Sequence, residues 1–258
     1  MLALLFTALV SVDVCQAIWR LQPALALVVD DLGYREDYDQ RAVSLPGIRN
    51  LAILPFTPGG RSLAESGHQL GKEILLHLPM QAEKHNQSLG PGALSEELDH
   101  AAFGAAFRAA AANIPHVRGV NNHMGSRLTT DPLRMAWLMA LLKEQDLYFL
   151  DSRTTAASVA AEQAEQAHLP FLVRDFFLDH VRTREHILEQ WEQSLELARS
   201  RGFALALAHP HPETLAVLTS ELPRLEDISL VKVSELLLAR ECEASFGRGT
   251  DSSQAVAQ

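Results

Sequence analysis

The stretch ALALVVDDLG, residues 24–33, places two adjacent carboxylates, Asp30 and Asp31, at the end of an apolar run. Residues 25–29 are all aliphatic, which is typical of a strand that is buried on both faces. Neighbouring negative charges repel each other, and an ionised carboxylate that is buried without a partner destabilises the fold. Packing alone does not account for this pair, so we expect it to have a chemical partner.

Similar apolar runs recur along the chain and alternate with stretches of helical periodicity. This alternation indicates a parallel sheet, and in 258 residues it predicts a deformed (β/α) barrel of about seven strands, with a doubly wound open sheet as the alternative. The predicted strands are residues 25–30, 51–54, 73–77, 118–122, 147–150, 171–174, 203–208 and 229–232. Capping residues and periodicity predict helices over residues 95–115 with Ser95 as N-cap, 131–145, 183–202 and 233–243.

The two ends of the chain depart from this pattern. Residues 2–12 are almost wholly apolar and too few to span a bilayer, so we expect residues 1–17 to be a signal peptide and the protein to be periplasmic or secreted. A buried N-terminal strand or helix is the alternative. Residues 18–242 are then the barrel domain, and the small, polar residues 243–258 are predicted to be a disordered tail.

Composition restricts the class of partner. The net charge is −10 and no cluster of Lys and Arg is present, so the electrostatic signature of nucleic-acid binding is missing. Aromatic residues make up only 6% of the chain, and composition therefore indicates no obvious platform on which sugars could stack. Residues 78–94 form a long predicted loop with Gly and Pro, and loops of this length are often functional.

Six of the predicted strands end in Asp, His, Asn or Arg. The carboxyl ends of strands in a (β/α) barrel converge on one mouth, so we expect these side chains to lie close together. Asp and His are good ligands for Zn²⁺ or another divalent transition metal. A metal also accounts for the carboxylate pair, because one Asp can bind it while the other stays ionised as a base. The candidates are Asp30, Asp31, His77, Asn121, Asn122, His123, Asp151, Arg174, Asp175, His209 and His211.

The chain resembles the divergent polysaccharide deacetylases, a branch of the NodB-type carbohydrate esterases. The resemblance extends from about residue 25 to residue 216 and rests on the segments LVVDDLG, GKEILLHLPM, GVNNHMGSRLT, YFLDSRT, RDFFLD and ALAHPHPETL. It implies a deformed (β/α) barrel, a divalent metal and hydrolysis of N-acetyl groups on a polysaccharide.

The resemblance also implies roles for individual residues. Asp31 and His77 match metal ligands, and Asp30 matches the catalytic base. The family's second motif has another His four residues after the first, where this chain has Gln81. His123 ends the next strand and is therefore the expected third ligand. His209 matches the general acid, a role that His211 could take instead, or it could bind the metal.

Two further carboxylates are candidates for the catalytic site. Asp151 follows a predicted strand and is either catalytic or a cap of the next helix. Asp175 is a candidate because an ion pair with the adjacent Arg174 could orient the base.

Three hypotheses for function follow. The leading hypothesis is a secreted, metal-dependent hydrolase, with Zn²⁺ as the first expectation, that removes N-acetyl groups from a cell-envelope glycan of the peptidoglycan type. Besides Gln81 in the second motif, the segment NNHMGS, residues 121–126, lacks the Arg and Pro of the family's third motif. These departures leave open a catalytically inactive envelope barrel that keeps the metal and binds a glycan or a partner protein. A different metal hydrolase, such as a deformylase or a phosphoesterase, is the third hypothesis, because a fold does not determine function.

Overall fold

The computed structural model describes residues 23–246, and its strands form one nine-stranded parallel sheet. Along the sheet the order is β6-β5-β4-β3-β2-β1-β8-β7, and β9 pairs with β1. Eight of the parallel strands curl through 274°, which confirms the predicted deformed barrel. The strands are β1 (Ala24–Leu32), β2 (Asn50–Ile53), β3 (Glu73–Met80), β4 (Val117–Met124), β5 (Tyr148–Asp151), β6 (Phe171–Val173), β7 (Phe176–Phe177), β8 (Phe203–Ala208) and β9 (Ser229–Leu230).

Eight α-helices connect and flank these strands within the described part of the chain. Four of them are not predicted from the sequence, because each spans only seven to ten residues. The helices are α1 (Glu36–Ser44), α2 (Gly60–Gln69), α3 (His100–Asn113), α4 (Pro132–Glu144), α5 (Ala160–Gln166), α6 (Arg184–Arg201), α7 (Pro212–Glu221) and α8 (Val233–Phe246).

Helix boundaries required two corrections. The N-cap of α3 is Asp99, whose Oδ1 accepts a hydrogen bond from Ala102 N at 2.8 Å, rather than Ser95. Ser95 directly follows Leu94, which forms a β-bridge with Met80 at the end of β3, and so it does not begin the helix. Helix α8 continues to Phe246, so the predicted boundary at residue 242 falls inside it. The predicted signal peptide, residues 1–17, and the rest of the predicted tail, residues 247–258, lie outside the described residues.

The core has two layers, one on each face of the sheet, because successive side chains along a strand point to opposite faces. In β1, Leu25, Leu27 and Val29 face outward and pack in the layer between sheet and helices. Ala26 and Val28 face inward and belong to a second cluster inside the barrel. That inner cluster includes Val233, Leu236 and Leu237 of α8, which packs against the barrel interior.

The barrel is not closed, because the edge strands β6 and β7 do not pair with each other. We call the opening between them the seam. The edge strands β6 and β7 follow each other in sequence and are separated only by Arg174 and Asp175. The Asp175 carboxylate accepts hydrogen bonds from Arg201 Nη1 and from Leu205 N, both at 2.9 Å. Arg174 Nε instead donates to the Ser152 carbonyl at 2.7 Å. The expected Arg174–Asp175 ion pair is therefore wrong: both side chains fasten the seam to other elements.

Within residues 23–246, helices long and apolar enough to cross a bilayer are absent.

We predict that Asp175→Ala lowers the free energy of unfolding by about 1–3 kcal/mol, because Arg201 and the Leu205 amide lose a charged acceptor. Urea denaturation measures this loss, and metal binding should be unchanged. Asp227→Ala is the matched control. Asp227 pairs with Arg199, which lies in the same helix as Arg201, but that pair is exposed and should contribute little to stability. Loss of metal from a fully folded Asp175→Ala variant would contradict this assignment.

Candidate metal centre and catalytic residues

The inner face of the barrel continues from apolar to polar residues at the carboxyl ends of the strands. Asp30 follows Val28 on the inner face of β1, and His77 follows Leu75 on that of β3. By the same alternation, His209 comes two residues after the inward-facing Leu207. The strand period therefore directs these three polar side chains to the mouth of the barrel.

Asp31 would face outward if β1 were regular, and a bulge prevents this. The pairing of β1 with β2 shifts register between Val29 and Leu32, and Asp31 has the left-handed φ of 59°. Such a kink re-aims a side chain, and strained conformations of this kind concentrate at functional sites. As a result, both neighbouring carboxylates point into one mouth.

Asp31, His77 and His123 converge on one point. Asp31 Oδ1 lies 3.0 Å from His77 Nε2 and 2.8 Å from His123 Nδ1, and the two nitrogens are 3.2 Å apart. Ligands at Zn–N and Zn–O distances of about 2.0–2.1 Å in a tetrahedral site would lie roughly 3.3 Å from each other. Asp31 Oδ1 is buried and has no hydrogen-bond partner of suitable geometry among the described residues. These three residues therefore fit a divalent metal ion.

Asn121 connects this cluster to Asp30. Its Oδ1 lies 2.9 Å from His77 Nδ1, and its Nδ2 donates to Asp30 Oδ1 at 2.9 Å. An amide oxygen can only accept, so His77 Nδ1 carries the proton and its Nε2 presents a lone pair to a metal. One buried amide thereby sets the tautomer of the ligand and holds the neighbouring carboxylate.

The two carboxylates have opposite electrostatic environments. Burial raises the pKa of Asp30, although His77 and His209 act in the opposite direction. Burial also opposes ionisation of Asp31, but the adjacent imidazoles of His123 and His77 hold its pKa well below the ordinary value. Asp31 is thus suited to bind a cation as a carboxylate, and Asp30 is suited to accept a proton.

His209 is paired with Asp179, a residue that the sequence analysis did not single out. Asp179 Oδ1 lies 2.8 Å from His209 Nδ1, and Asp179 Oδ2 accepts from His209 N at 2.7 Å and from Thr214 Oγ1 at 2.8 Å. Although burial opposes protonation of the imidazole, contact with Asp179 raises the pKa of His209 to about 9. A signal did exist in sequence, because Asp179 ends the short apolar run 176–178 in the segment RDFFLD.

Asp179, His209 and His211 form a second group that could hold a metal ion, with ligand atoms within 4.8 Å of one another. The contacts of this group favour proton transfer instead. Asp179 occupies the Nδ1 atom of His209, and the Arg35 guanidinium lies 3.4 Å from His211 Nδ1. A permanent cation at that nitrogen disfavours a second cation beside it.

Comparisons with known proteins show the family to which the chain belongs. The family model for divergent polysaccharide deacetylases matches residues 27–237. The chain belongs to the divergent polysaccharide deacetylase family. An uncharacterized Escherichia coli protein, YibQ, is 36% identical over 222 residues, which cover 86% of this chain and 69% of the relative. An uncharacterized protein of Haemophilus influenzae is 36% identical over 216 residues, which cover 83% and 77% of the two chains.

A solved structure supports the fold. The crystal structure of the uncharacterized protein ATU2773 from Agrobacterium tumefaciens superposes with a TM-score of 0.79. It is 24% identical, and the match covers 86% of this chain and 94% of that one. At this identity the likeness establishes the shared fold and carries no statement about activity.

The departure from the typical deacetylase motif at Gln81 has a structural explanation. Gln81 Oε1 accepts a hydrogen bond from Glu96 N at 2.8 Å, and its backbone oxygen accepts from Leu128 N at 2.9 Å. Gln81 therefore holds the long loop that follows β3. His123, from the neighbouring strand β4, lies beside Asp31 and His77 in the position where a third ligand is needed.

Asp151 and Asp175 are not brought into either group. Asp151 faces away from the inner surface by the strand alternation, and it accepts hydrogen bonds from Arg153 N and Ser158 Oγ, both at 2.7 Å. It stabilises the turn after β5 and does not cap the next helix, whose N-cap residue is Val159. Asp175 fastens the seam, as described above.

We predict about one divalent ion per chain, bound by a carboxylate and two imidazoles. His77→Ala and His123→Ala should each lose more than the roughly 10- to 100-fold in metal affinity that removal of a merely supporting residue causes. Elemental analysis and calorimetric titration with Zn²⁺ measure both quantities.

The matched control is His68→Ala, because His68 stacks on His116 at 3.8 Å in a separate His pair. Its metal content should equal that of the wild type. Two ions per chain would place a second ion at Asp179, His209 and His211. That result would contradict the assignment of this group to proton transfer.

Proposed function

We propose that this protein is an exported, metal-dependent deacetylase that removes N-acetyl groups from a polysaccharide of the cell envelope. The observation that carries the proposal is the meeting of three components at one mouth. These are a metal-ligand cluster, a buried carboxylate and an imidazole paired with a second carboxylate. His209 Nε2 lies 3.9 Å from Asp31 Oδ2, so acid, base and ligands surround the same small volume.

The ligand set supports Zn²⁺, because one carboxylate oxygen and two imidazole nitrogens with open positions are typical of catalytic zinc sites. When bound by Asp31, His77 and His123, the ion would supply Lewis acidity toward a water molecule and the acetyl carbonyl oxygen. Asp30 accepts the proton of the attacking water, a role for which its raised pKa is suited. Asn121 holds the Asp30 carboxylate in position for this transfer.

His209 supplies the second proton. An amine is a poor leaving group unless it is protonated as the carbon–nitrogen bond breaks. Asp179 keeps the His209 ring oriented and protonated, with Nε2 free to donate toward the mouth. The base and the acid are therefore two different residues whose environments move their proton affinities to suit these tasks.

We predict that Asp30→Asn keeps the bound metal and loses at least about 10²-fold in kcat, the usual scale for removal of a general base. Release of acetate from N-acetylated chito-oligosaccharides and peptidoglycan fragments measures the rate, and elemental analysis measures the metal. Near-normal activity of this variant would refute the role of Asp30. A metal-loaded wild type that binds these glycans without releasing acetate would support the inactive binding protein instead.

We predict that His209→Ala lowers kcat for amide substrates by about 10²–10⁴-fold. The same variant should lose far less activity on p-nitrophenyl acetate, because nitrophenolate departs without being protonated. Asp179→Asn should show the same contrast between the two substrates in weaker form, since it removes the partner of His209. Equal losses on the amide and the ester would mean that His209 does not act as the general acid.

A further inference from the structure

Arg174 is a cation near the mouth of the barrel that forms no direct ion pair with a carboxylate of the described residues. It directly follows β6, and its side chain is half-buried. Asp151, Asp175 and Asp30 lie near enough to act on its pKa, yet the carboxylate of none of them accepts a hydrogen bond from it. Burial lowers the pKa of Arg174, but a guanidinium group stays protonated at neutral pH.

The three carboxylates around Arg174 are committed to other partners. Asp175 accepts hydrogen bonds from the arginine at the end of α6, and Asp151 accepts hydrogen bonds from its own turn. Asp30 accepts a hydrogen bond from Asn121 Nδ2 at 2.9 Å. A half-buried charge without a counter-ion is unfavourable, so its position here indicates an anionic partner from outside the chain.

The hydrogen bonds of Arg174 leave part of its guanidinium group unused. Nε donates to the Ser152 carbonyl at 2.7 Å, and Nη2 donates to the Arg153 carbonyl at 3.1 Å. Nη1 donates to the Asp175 carbonyl at 3.5 Å. A guanidinium group has five N–H donors, so one on each Nη remains without a partner among the described residues. Paired N–H donors of this kind form the fork that binds a carboxylate through both of its oxygens.

Contacts connect this fork to both sides of the candidate site. On the side of the base, Ser152 Oγ lies 3.4 Å from Nδ2 of Asn121, the amide that holds the proposed base. On the side of the acid, Arg174 Cζ lies 3.9 Å from the centre of the Phe177 ring, which stacks on His209 with ring centres 5.9 Å apart. The guanidinium group therefore lies beside the volume in which the N-acetyl group would react.

Arg153 brings a second positive charge to the same place. It follows β5, its side chain is exposed, and after burial its charge is the main cause that lowers the pKa of Arg174. The chain as a whole carries a net charge of −10, so two adjacent guanidinium groups at the mouth reverse the surface charge locally. Such a local reversal attracts an anion to the mouth.

We propose that the guanidinium fork of Arg174 binds a carboxylate of the substrate, and that the sugar with the reacting N-acetyl group also carries this carboxylate. The inference rests on the proposed function and adds the charge of the substrate, because a neutral N-acetylated sugar offers no counter-ion to this cation. Arg153 adds to the attraction from the rim. Arg174 is a binding residue in this assignment and takes no part in proton transfer.

The test is calorimetric binding to the metal-loaded chain carrying Asp30→Asn, so that no ligand is consumed. The two main probes are N-acetylmuramic acid, whose lactyl ether carries a carboxylate, and the carboxamide of the same sugar, which has no charge. We expect the acid to bind about tenfold more tightly than the amide, because a bidentate bond to a charged acceptor is stronger than one to a neutral acceptor. Arg174→Lys keeps a positive charge without the fork and should lose most of this preference.

Acetate is the third probe, because the proposed reaction releases a carboxylate that can bind the same fork. We expect acetate to bind far more weakly than the acid sugar. Equal binding of the acid and the amide, together with acetate binding that depends on Arg174, would mean that the fork holds the product. That result would overturn the proposal.

Asp175→Ala is the matched control, because it weakens the same seam and leaves the fork in place. It should keep the preference for the acid. The proposal is overturned if the acid binds no more tightly than the amide, or if Arg174→Lys and Asp175→Ala lower the preference equally. The comparison of acid with amide needs no change at Arg174, so it stays decisive even if the lysine variant does not fold.

Failure of the carboxylate site and failure of the proposed hydrolase are separable. A protein that prefers the acid through Arg174 but releases no acetate would keep the carboxylate site and refute the hydrolase. One that releases acetate equally well from the acid and the amide, and binds both equally, would keep the hydrolase and refute the carboxylate site.

Discussion

The rest of the site depends on two adjacent carboxylates, the buried Asp30 and the half-buried Asp31, near the carboxyl end of β1, an interior strand of the sheet. Two negative charges at this position require nearby positive charge or protonation. The fold supplies imidazoles for Asp31 and an amide for Asp30. The bulge turns Asp31 toward the mouth, so both carboxylates and the groups that compensate their charge meet at one point. This explains why a metal fits there.

The two clusters of His and Asp are kept distinct by their other partners. Asn121 fixes the proton of His77 on Nδ1, which leaves Nε2 for a metal. Asp179 takes Nδ1 of His209, and this leaves Nε2 of His209 as a proton donor facing the same mouth. Similar side chains thus acquire different chemistry through the single atom that each has already committed to a neighbour.

The barrel separates stability from chemistry along its axis. Helix α8 contributes Val233, Leu236 and Leu237 to the apolar interior, whereas the carboxyl ends of the strands carry the polar residues. The seam between β6 and β7 is fastened by the Arg174 and Asp175 side chains rather than by strand pairing. Helix α8 and the contacts at the seam consequently fix the strands that carry the mouth. Such rigid support suits a site that must hold several side chains at fixed distances.

The sequence by itself determined the alternation of strands and helices and placed Asp30, His77, His123 and His209 toward the carboxyl ends of apolar runs, because apolar periodicity is local. Its motifs also indicated the family. Only the tertiary structure decided which strand-end residues meet. Asp151 faces outward, Asp175 closes a seam, and Asp179 joins His209 from a strand too short to show periodicity. Side-chain direction at a bulge, register between strands and closure of the sheet are set by contacts between residues distant in sequence, and no local pattern encodes them.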